Sequence, residues 1–375
     1  MSKIIFQHWF RWLASATAAL LTFGATPHAA APSAPAPVTA QSLTPQQLAG
    51  QRIIYSYTGL TPPSTLIQRI AAGEAAGVIF FGDNISNDTQ ISSVIQQLDA
   101  ANAQSPVKEP LLLMTDQEGG EVRRLPGEPT QSEKQIGESS DPSGEAATAG
   151  KDAGQNLASV GMNLNLAPVL DVFRTPGDFD DEYQRSYSSD PNVAAEAGAA
   201  FVTAQQQTGV AATVKHFPGL GAATASQNTD AEPVTLNVSA SDLRNIDELP
   251  YVSAIQAGVK LVMVSWAVYP ALDPTYPAGL SSTIVQGELR DRLGFKGVTI
   301  TDALEAGALQ NFGTDSQRGV AAASAGMDLI MCASGQVSQG DDVENGLETA
   351  LANGQLGSAA FNASVNRIAA LRSGL

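Results

Sequence analysis

The sequence predicts an α/β fold, a single-domain (β/α)8 TIM-type barrel, on three observations. Eight short apolar runs rich in β-forming residues follow one another, and stretches with helical spacing separate them. No Gly-rich phosphate loop follows the early runs, as an open doubly wound sheet would require. In order, the expected strands are Ile53–Tyr57, Val78–Phe81, Leu111–Thr115, Leu164–Leu170, Val210–Val214, Leu261–Trp266, Val298–Thr301 and Leu329–Ala333. Most are nearly continuous apolar runs, which suits parallel strands covered on both faces. Helical spacing is visible at Val94, Ile95 and Leu98 and at Val285, Leu289 and Leu293, and the closing helix sets Phe361, Val365, Ile368 and Leu371 on one face. No repeat of roughly 20–50 residues points to a solenoid.

The barrel is expected over 46–375. Residues 1–31 read as a secretory signal: Lys3 and Arg11 supply positive charge, an apolar run spans Leu13 to Gly24, and small residues follow at Ala29-Ala30-Ala31. That run is short of the ~20 apolar residues a spanning helix needs, so no transmembrane anchor is expected once it is removed. An Ala/Pro-rich linker is expected over 32–45. The expected localisation is therefore secreted or in the cell envelope.

Composition narrows the function. With Lys+Arg 20 against Asp+Glu 37 and a net charge of −17, the chain lacks the basic footprint of a nucleic-acid binder. One cysteine, Cys332, and three histidines exclude a thiolate/imidazole zinc cluster, and only His216 lies outside the expected signal. The apolar surroundings of Cys332 predict a buried thiol. In a barrel of this kind the chemistry gathers where strands end. There the sequence places Asp83-Asn84, Asp116-Gln117-Glu118, Asp171, Lys215-His216 and Asp302. Carboxylates with one Lys-His pair can work on a sugar or acyl centre without a cofactor.

Several of these segments resemble glycoside hydrolase family 3, in its single-barrel β-N-acetylglucosaminidase (β-N-acetylhexosaminidase) branch. Lys215-His216-Phe217-Pro218-Gly219-Leu220-Gly221 is similar to that branch's KHFPGHG signature, with Leu220 in place of the second histidine. Thr115 to Leu125 resembles its DQEGGRVQRL stretch, Ala167 to Asp171 its APVLD, Arg185 to Pro191 its RSFGxDP, and Gly297 to Glu305 the strand carrying its nucleophile. The resemblance implies Asp302 as catalytic nucleophile and Asp116, Arg124, Arg185, Lys215 and His216 as substrate-binding residues. It implies no cofactor and no metal, a carbohydrate containing N-acetylglucosamine as the partner, and a monomer. Plain structural roles compete with these. Asp302 and Glu305 have the spacing of a helix capping box, and Arg124 and Arg185 could form surface ion pairs.

One departure matters for the chemistry. The branch carries its acid/base as a histidine held by an aspartate in an Asp-Ser-His run, and counting from Lys215 puts Ser226, Gln227 and Asn228 there. None of these shuttles a proton near neutral pH. Asp230 is the candidate replacement, with Glu232 behind it. The small, polar loop from Ala222 to Glu232 is expected to be mobile. The reading is thus an exported retaining β-N-acetylhexosaminidase acting on peptidoglycan fragments or chito-oligosaccharides. The alternative is a catalytically impaired sugar-binding homologue. A Schiff-base barrel using Lys215 is a weaker third, because it requires a strongly depressed lysine pKa.

Overall fold

The computed structural model describes residues 43–375, so the expected signal and most of the expected linker lie outside the described residues. Eight strands alternate with helices: β1 Ile53–Tyr55, β2 Gly77–Ile79, β3 Leu112–Thr115, β4 Leu164–Asn165, β5 Ala211–Phe217, β6 Leu261–Val264, β7 Val298–Thr301 and β8 Ile330–Met331. Each pairs in parallel with its neighbour through β7, and β8 returns to β1 at Ile330 and Ile53. Between β7 and β8 the ladder thins to the Ile300–Leu329 bridge, where Leu329 N donates to Thr299 O at 2.9 Å and Thr301 N to Leu329 O at 3.1 Å. The result is a nearly closed eight-stranded parallel barrel.

The side-chain period explains the continuous apolar runs. Ile54, Met114, Met263 and Ile300 fill the barrel, whereas Ile53, Leu113, Val262 and Val264 pack outward. The outer ring includes α1 Ser64–Ala72, α2 Asp88–Asn102, α3 Pro142–Val160, α4 Pro191–Gln206, α5 Leu249–Gln256, α6 Thr283–Arg292, α7 Asp315–Ala325, α8 Val337–Ala352 and α9 Ser358–Arg372. Side-chain caps fix the starts of α2, α3, α4 and α7, where Asn87, Asp141, Asp190 and Thr314 each accept a backbone N–H of the first turn. On α9, Phe361, Val365, Ile368 and Leu371 are all buried, as the spacing predicts.

Two strands differ from expectation at their ends. Leu164–Leu170 pairs as regular ladder only at Leu164–Asn165, because Pro168 has no N–H to donate. The chain still runs beside β5, with Leu170 N donating to Lys215 O at 2.8 Å. β5 continues past Val214 to Phe217 and carries Lys215 and His216 at an irregularity in its pairing with β6. Cys332, just beyond β8, is fully buried. Among the described residues no helix is long and apolar enough to cross a membrane.

Candidate active site

The loops beyond the C-terminal strand ends enclose a cavity of about 580 Å3, and its lining includes Asp116, Arg124, Arg185, Lys215, His216, Asp230 and Asp302. All seven site residues read from the sequence therefore meet in one place.

A hairpin after β3, pairing Gln117–Gly119 with Val122–Arg123, supplies the first group. Gln117 fixes it: its Nε2 donates to Leu125 O and Glu128 O, both at 2.9 Å, and its Oε1 accepts from Leu125 N. This holds Asp116 and Glu118 over β5, where Lys215 Nζ reaches Asp116 Oδ1 and Glu118 Oε1, both at 2.7 Å. Arg185 grips Glu118 with two hydrogen bonds of 2.9 Å and donates through Nη1 to Asp180 Oδ1 at 3.0 Å. Burial pushes the Glu118 carboxyl up, but Arg185 and Lys215 bring it down to about 2. Burial pulls Lys215 down, and Asp116 and Glu118 more than restore it, so its pKa ends above the ordinary lysine value. A charged, doubly paired lysine is the opposite of what a Schiff base requires. Arg185 is likewise no surface ion pair: it is locked to two buried carboxylates. Asp116 keeps its second oxygen for the cavity.

His216 sits beside this cluster with Nδ1 2.7 Å from Asp171 Oδ2. Asp171 also accepts from Leu220 N at 2.6 Å, and His216 and these backbone donors outweigh its burial and lower its pKa. A carboxylate only accepts, so His216 carries its proton on Nδ1 and turns Nε2 away from Asp171. Burial lowers the imidazole pKa, but the Asp171 charge overrides it and the net shift is upward. Asp180 lies close to both residues; burial pushes it to about 7, and its Oδ2 has no hydrogen-bond partner among the described residues. Asp171, Asp180 and His216 approach closely enough to suggest a metal site. The donor set does not fit one: the Asp171 oxygens are taken by His216 and backbone N–H groups, and Arg185 holds Asp180.

Asp302 follows β7, and its Oδ1 accepts only from Ala303 N, at 2.7 Å. No helix begins there. A short 3-10 turn follows at Gly307–Leu309, and α7 starts at Asp315 under its own cap, Thr314. Glu305 accepts from Ala333 N and Gln339 Nε2 instead of closing a capping box. Neither Asp302 nor Arg124 forms an ion pair among the described residues.

The loop after β5 is tied down rather than loose. Gly307 N donates to Asp230 O at 2.8 Å, Ala308 N to Thr229 O at 3.0 Å, and Phe179 N to Ala223 O at 2.9 Å. Gly307 permits that approach, because a Cβ there would lie 2.1 Å from Ala231 O. Asp230 lines the cavity although it is exposed at the surface, and desolvation by the surrounding walls and then the Asp302 charge raise its carboxyl pKa. Glu232 is exposed and is not part of the lining. Sequence reasoning named Glu118 and Asp171 only as strand-end acids, and it missed Asp180, Phe179 and Tyr183 altogether. A buried acid in the polar stretch Asp178–Asp181 leaves no local signature.

Known proteins supply an independent view. The family description "Glycosyl hydrolase family 3 N terminal domain" matches residues 52–371. An uncharacterized secreted glycosyl hydrolase of Arthroderma benhamiae is 46% identical over 329 residues, covering 87% of this chain and 93% of that protein. Beta-hexosaminidase A of Pseudoalteromonas piscicida is 32% identical over 72% of this chain, which spans 48% of that protein. A solved family 3 beta-N-acetylglucosaminidase from a Paenibacillus species superposes with a TM-score of 0.83 at 32% identity, covering 88% of this chain and 62% of its own. These last two proteins are longer than the stretch they share with it. The chain belongs to glycosyl hydrolase family 3 and is a glycoside hydrolase.

Proposed function

We propose that the protein is a retaining β-N-acetylhexosaminidase that removes terminal β-linked N-acetylglucosamine, with Asp302 as nucleophile and Asp230 as acid/base. The observation that carries this reading is the pair of dissimilar carboxyls in one cavity. Asp302 forms no ion pair among the described residues, whereas desolvation and the Asp302 charge raise the pKa of Asp230. Two carboxyls held in different environments are what double displacement needs, one to attack the anomeric carbon and one to protonate the leaving oxygen. In the first step an Asp302 oxygen would bond to the anomeric carbon as the glycosidic bond breaks, and the Asp230 proton would pass to the leaving oxygen. In the second, Asp230 would take a proton from water, which displaces Asp302.

Asp116, Lys215 and His216 are suited to sugar hydroxyls in the deeper subsite. Asp116 accepts through its remaining oxygen, Lys215 has a further N–H to donate, and His216 Nε2 accepts from a hydroxyl or, in the charged ring, donates to one. Arg124 would act at the rim, and Arg185 through Glu118. The name of the Paenibacillus relative supports N-acetylglucosamine as the recognised sugar, that of the Pseudoalteromonas relative supports a hexosaminidase, and the secreted Arthroderma relative supports export. Peptidoglycan fragments or chito-oligosaccharides are the proposed natural substrates, met outside the cell membrane after removal of 1–31. The impaired sugar-binding alternative loses ground because Asp230 occupies the cavity despite the missing Asp-His dyad. Side-by-side rates with aryl N-acetylglucosaminide and aryl glucoside test the proposal. Much faster cleavage of the former is expected, and equal rates or a preference for glucose would contradict it.

A further inference from the structure

The cavity has one wall that the chemistry above does not use. Phe179 and Tyr183 both line it, and their rings pack edge to face with centroids 5.5 Å apart and an interplanar angle of 70°. Phe179 is nearly buried, whereas Tyr183 is 46% exposed. Large apolar side chains this open are few among the described residues. The others, Leu60 and Tyr276, do not line the cavity. An aromatic ring left half in water at the mouth of a polar cavity exposes apolar area without return unless something covers it.

The segment carrying it is rigid. Arg174 N and Thr175 N donate to Asp178 Oδ2 at 2.9 and 2.6 Å, and Gly177 N to Asp181 Oδ2 at 2.7 Å. Arg174 pairs with buried Asp247, Lys134 with Asp181, and Phe179 N is fastened to the loop that carries Asp230. Ordering costs at this wall are therefore met before any ligand arrives.

We propose that Tyr183, braced by Phe179, is a stacking platform for the second sugar of the substrate, on the leaving-group side. This rests on the hexosaminidase reading above. Asp116, Lys215 and His216 are buried or nearly so and suit a sugar whose hydroxyls are all bonded. Tyr183 stands at the solvent side, on the same wall as the donor loop, where the next residue of a β-linked glycan would emerge. A pyranose presents an apolar C–H face that matches the negative face of an aromatic ring. The platform would favour a disaccharide over a bare glycoside and hold the leaving oxygen near Asp230. Tyr183 is thus a specificity-determining residue.

Binding decides this separately from turnover. In the Asp302→Asn background, calorimetry would compare N-acetylglucosamine with chitobiose in chains carrying Tyr183, Tyr183→Ala or Tyr183→Phe. Tyr183→Ala is expected to weaken chitobiose about five- to tenfold while shifting N-acetylglucosamine by less than about twofold, and Tyr183→Phe to restore the difference. Equal losses for both sugars, or none for chitobiose, would overturn the platform alone. If no chain binds N-acetylglucosamine, the hexosaminidase reading fails and takes the platform with it. Because Tyr183 is exposed, an unchanged melting temperature is expected in every variant.

Discussion

Two buried ion clusters lie at opposite ends of the barrel, and they are completed differently. At the N-terminal strand ends, Asp328 is fully buried and saturated. Its Oδ2 accepts from Arg290 Nη2 at 2.7 Å and Thr299 N at 3.0 Å, and its Oδ1 from Arg367 Nη2 at 2.7 Å. Arg52 adds a third cation, donating to the carbonyls of Met327 and Asp328, and burial pulls its pKa down to about 10. At the C-terminal strand ends the balance reverses: Lys215 and Arg185 serve Asp116, Glu118 and Asp180, and among the described residues Asp302 and Asp230 form no ion pair. A closed cluster with excess cations holds strands together. An open one with excess carboxylates leaves acceptors and a nucleophile facing the cavity. This is the division of labour expected between the two faces of such a barrel.

The comparison yields predictions that break it at either end. The largest effect is expected for Asp302→Asn, which keeps size and the hydrogen bond from Ala303 N but removes the attacking charge. The kcat should fall on the order of 10⁴-fold on both aryl glycoside and chitobiose, with the melting temperature nearly unchanged. Next comes Asp230→Asn, expected to slow chitobiose hydrolysis by ~10²–10⁴-fold but an activated aryl glycoside far less, because an acidic leaving group needs little protonation. Azide should rescue the aryl reaction of this variant. The sign of the pH effect follows from the raised Asp230 pKa: chitobiose turnover in the wild type falls as pH rises through it, and that limb vanishes in the variant.

The opposite end should behave in reverse. Asp328→Asn strands buried cations, so denaturant titration should record a loss of about 3–5 kcal/mol while kcat/KM of the folded protein holds. A fall in kcat/KM without loss of stability would erase the distinction between the two faces. The smallest effect concerns Asp180. Its pKa of about 7 exceeds that of an unfolded aspartate, so between roughly pH 4 and 7 the native chain holds a proton that the unfolded chain has released. Stability from this group therefore declines as pH rises through that window. Glu118, held at about 2, acts oppositely: its contribution is complete above the ordinary glutamate range and is lost as pH falls toward 2. Asp180→Asn should flatten the decline above pH 4, a change on the order of 2–3 kcal/mol in the unfolding free energy from urea titrations compared at pH 5 and 8.

The barrel was legible because its strands are apolar on both faces, so eight runs stand out without any alternation to decode. Strand ends were harder. Lys215 and His216 look like the start of a loop, yet the strand runs on through an irregularity, with Lys215 bridged to Val169, Phe217 paired with Val264 and His216 N turned to the Asp171 carboxylate. Asp116 and Asp302 could be read from local motifs because each directly follows a strand, and the other site residues lie in or near the motif segments around them. Their wiring could not: the Asp171–His216 contact spans 45 residues and the Arg185–Glu118 contact 67. Asp302 and Glu305 have capping-box spacing, and only the course of the chain after β7 removes that reading. The Ala222–Glu232 loop looks mobile by composition, but backbone hydrogen bonds to Gly307 and Ala308, far off in sequence, hold it.

The central claim is that the uncompensated carboxylate at the end of β7 attacks the sugar. Mass spectrometry of the Asp230→Asn chain, quenched during turnover of a fluorinated N-acetylglucosaminyl fluoride, tests it most directly. One sugar bound as an ester on the peptide containing Asp302 is expected. A label on another residue, or continued hydrolysis with no labelled peptide and inversion at the anomeric carbon, would contradict it.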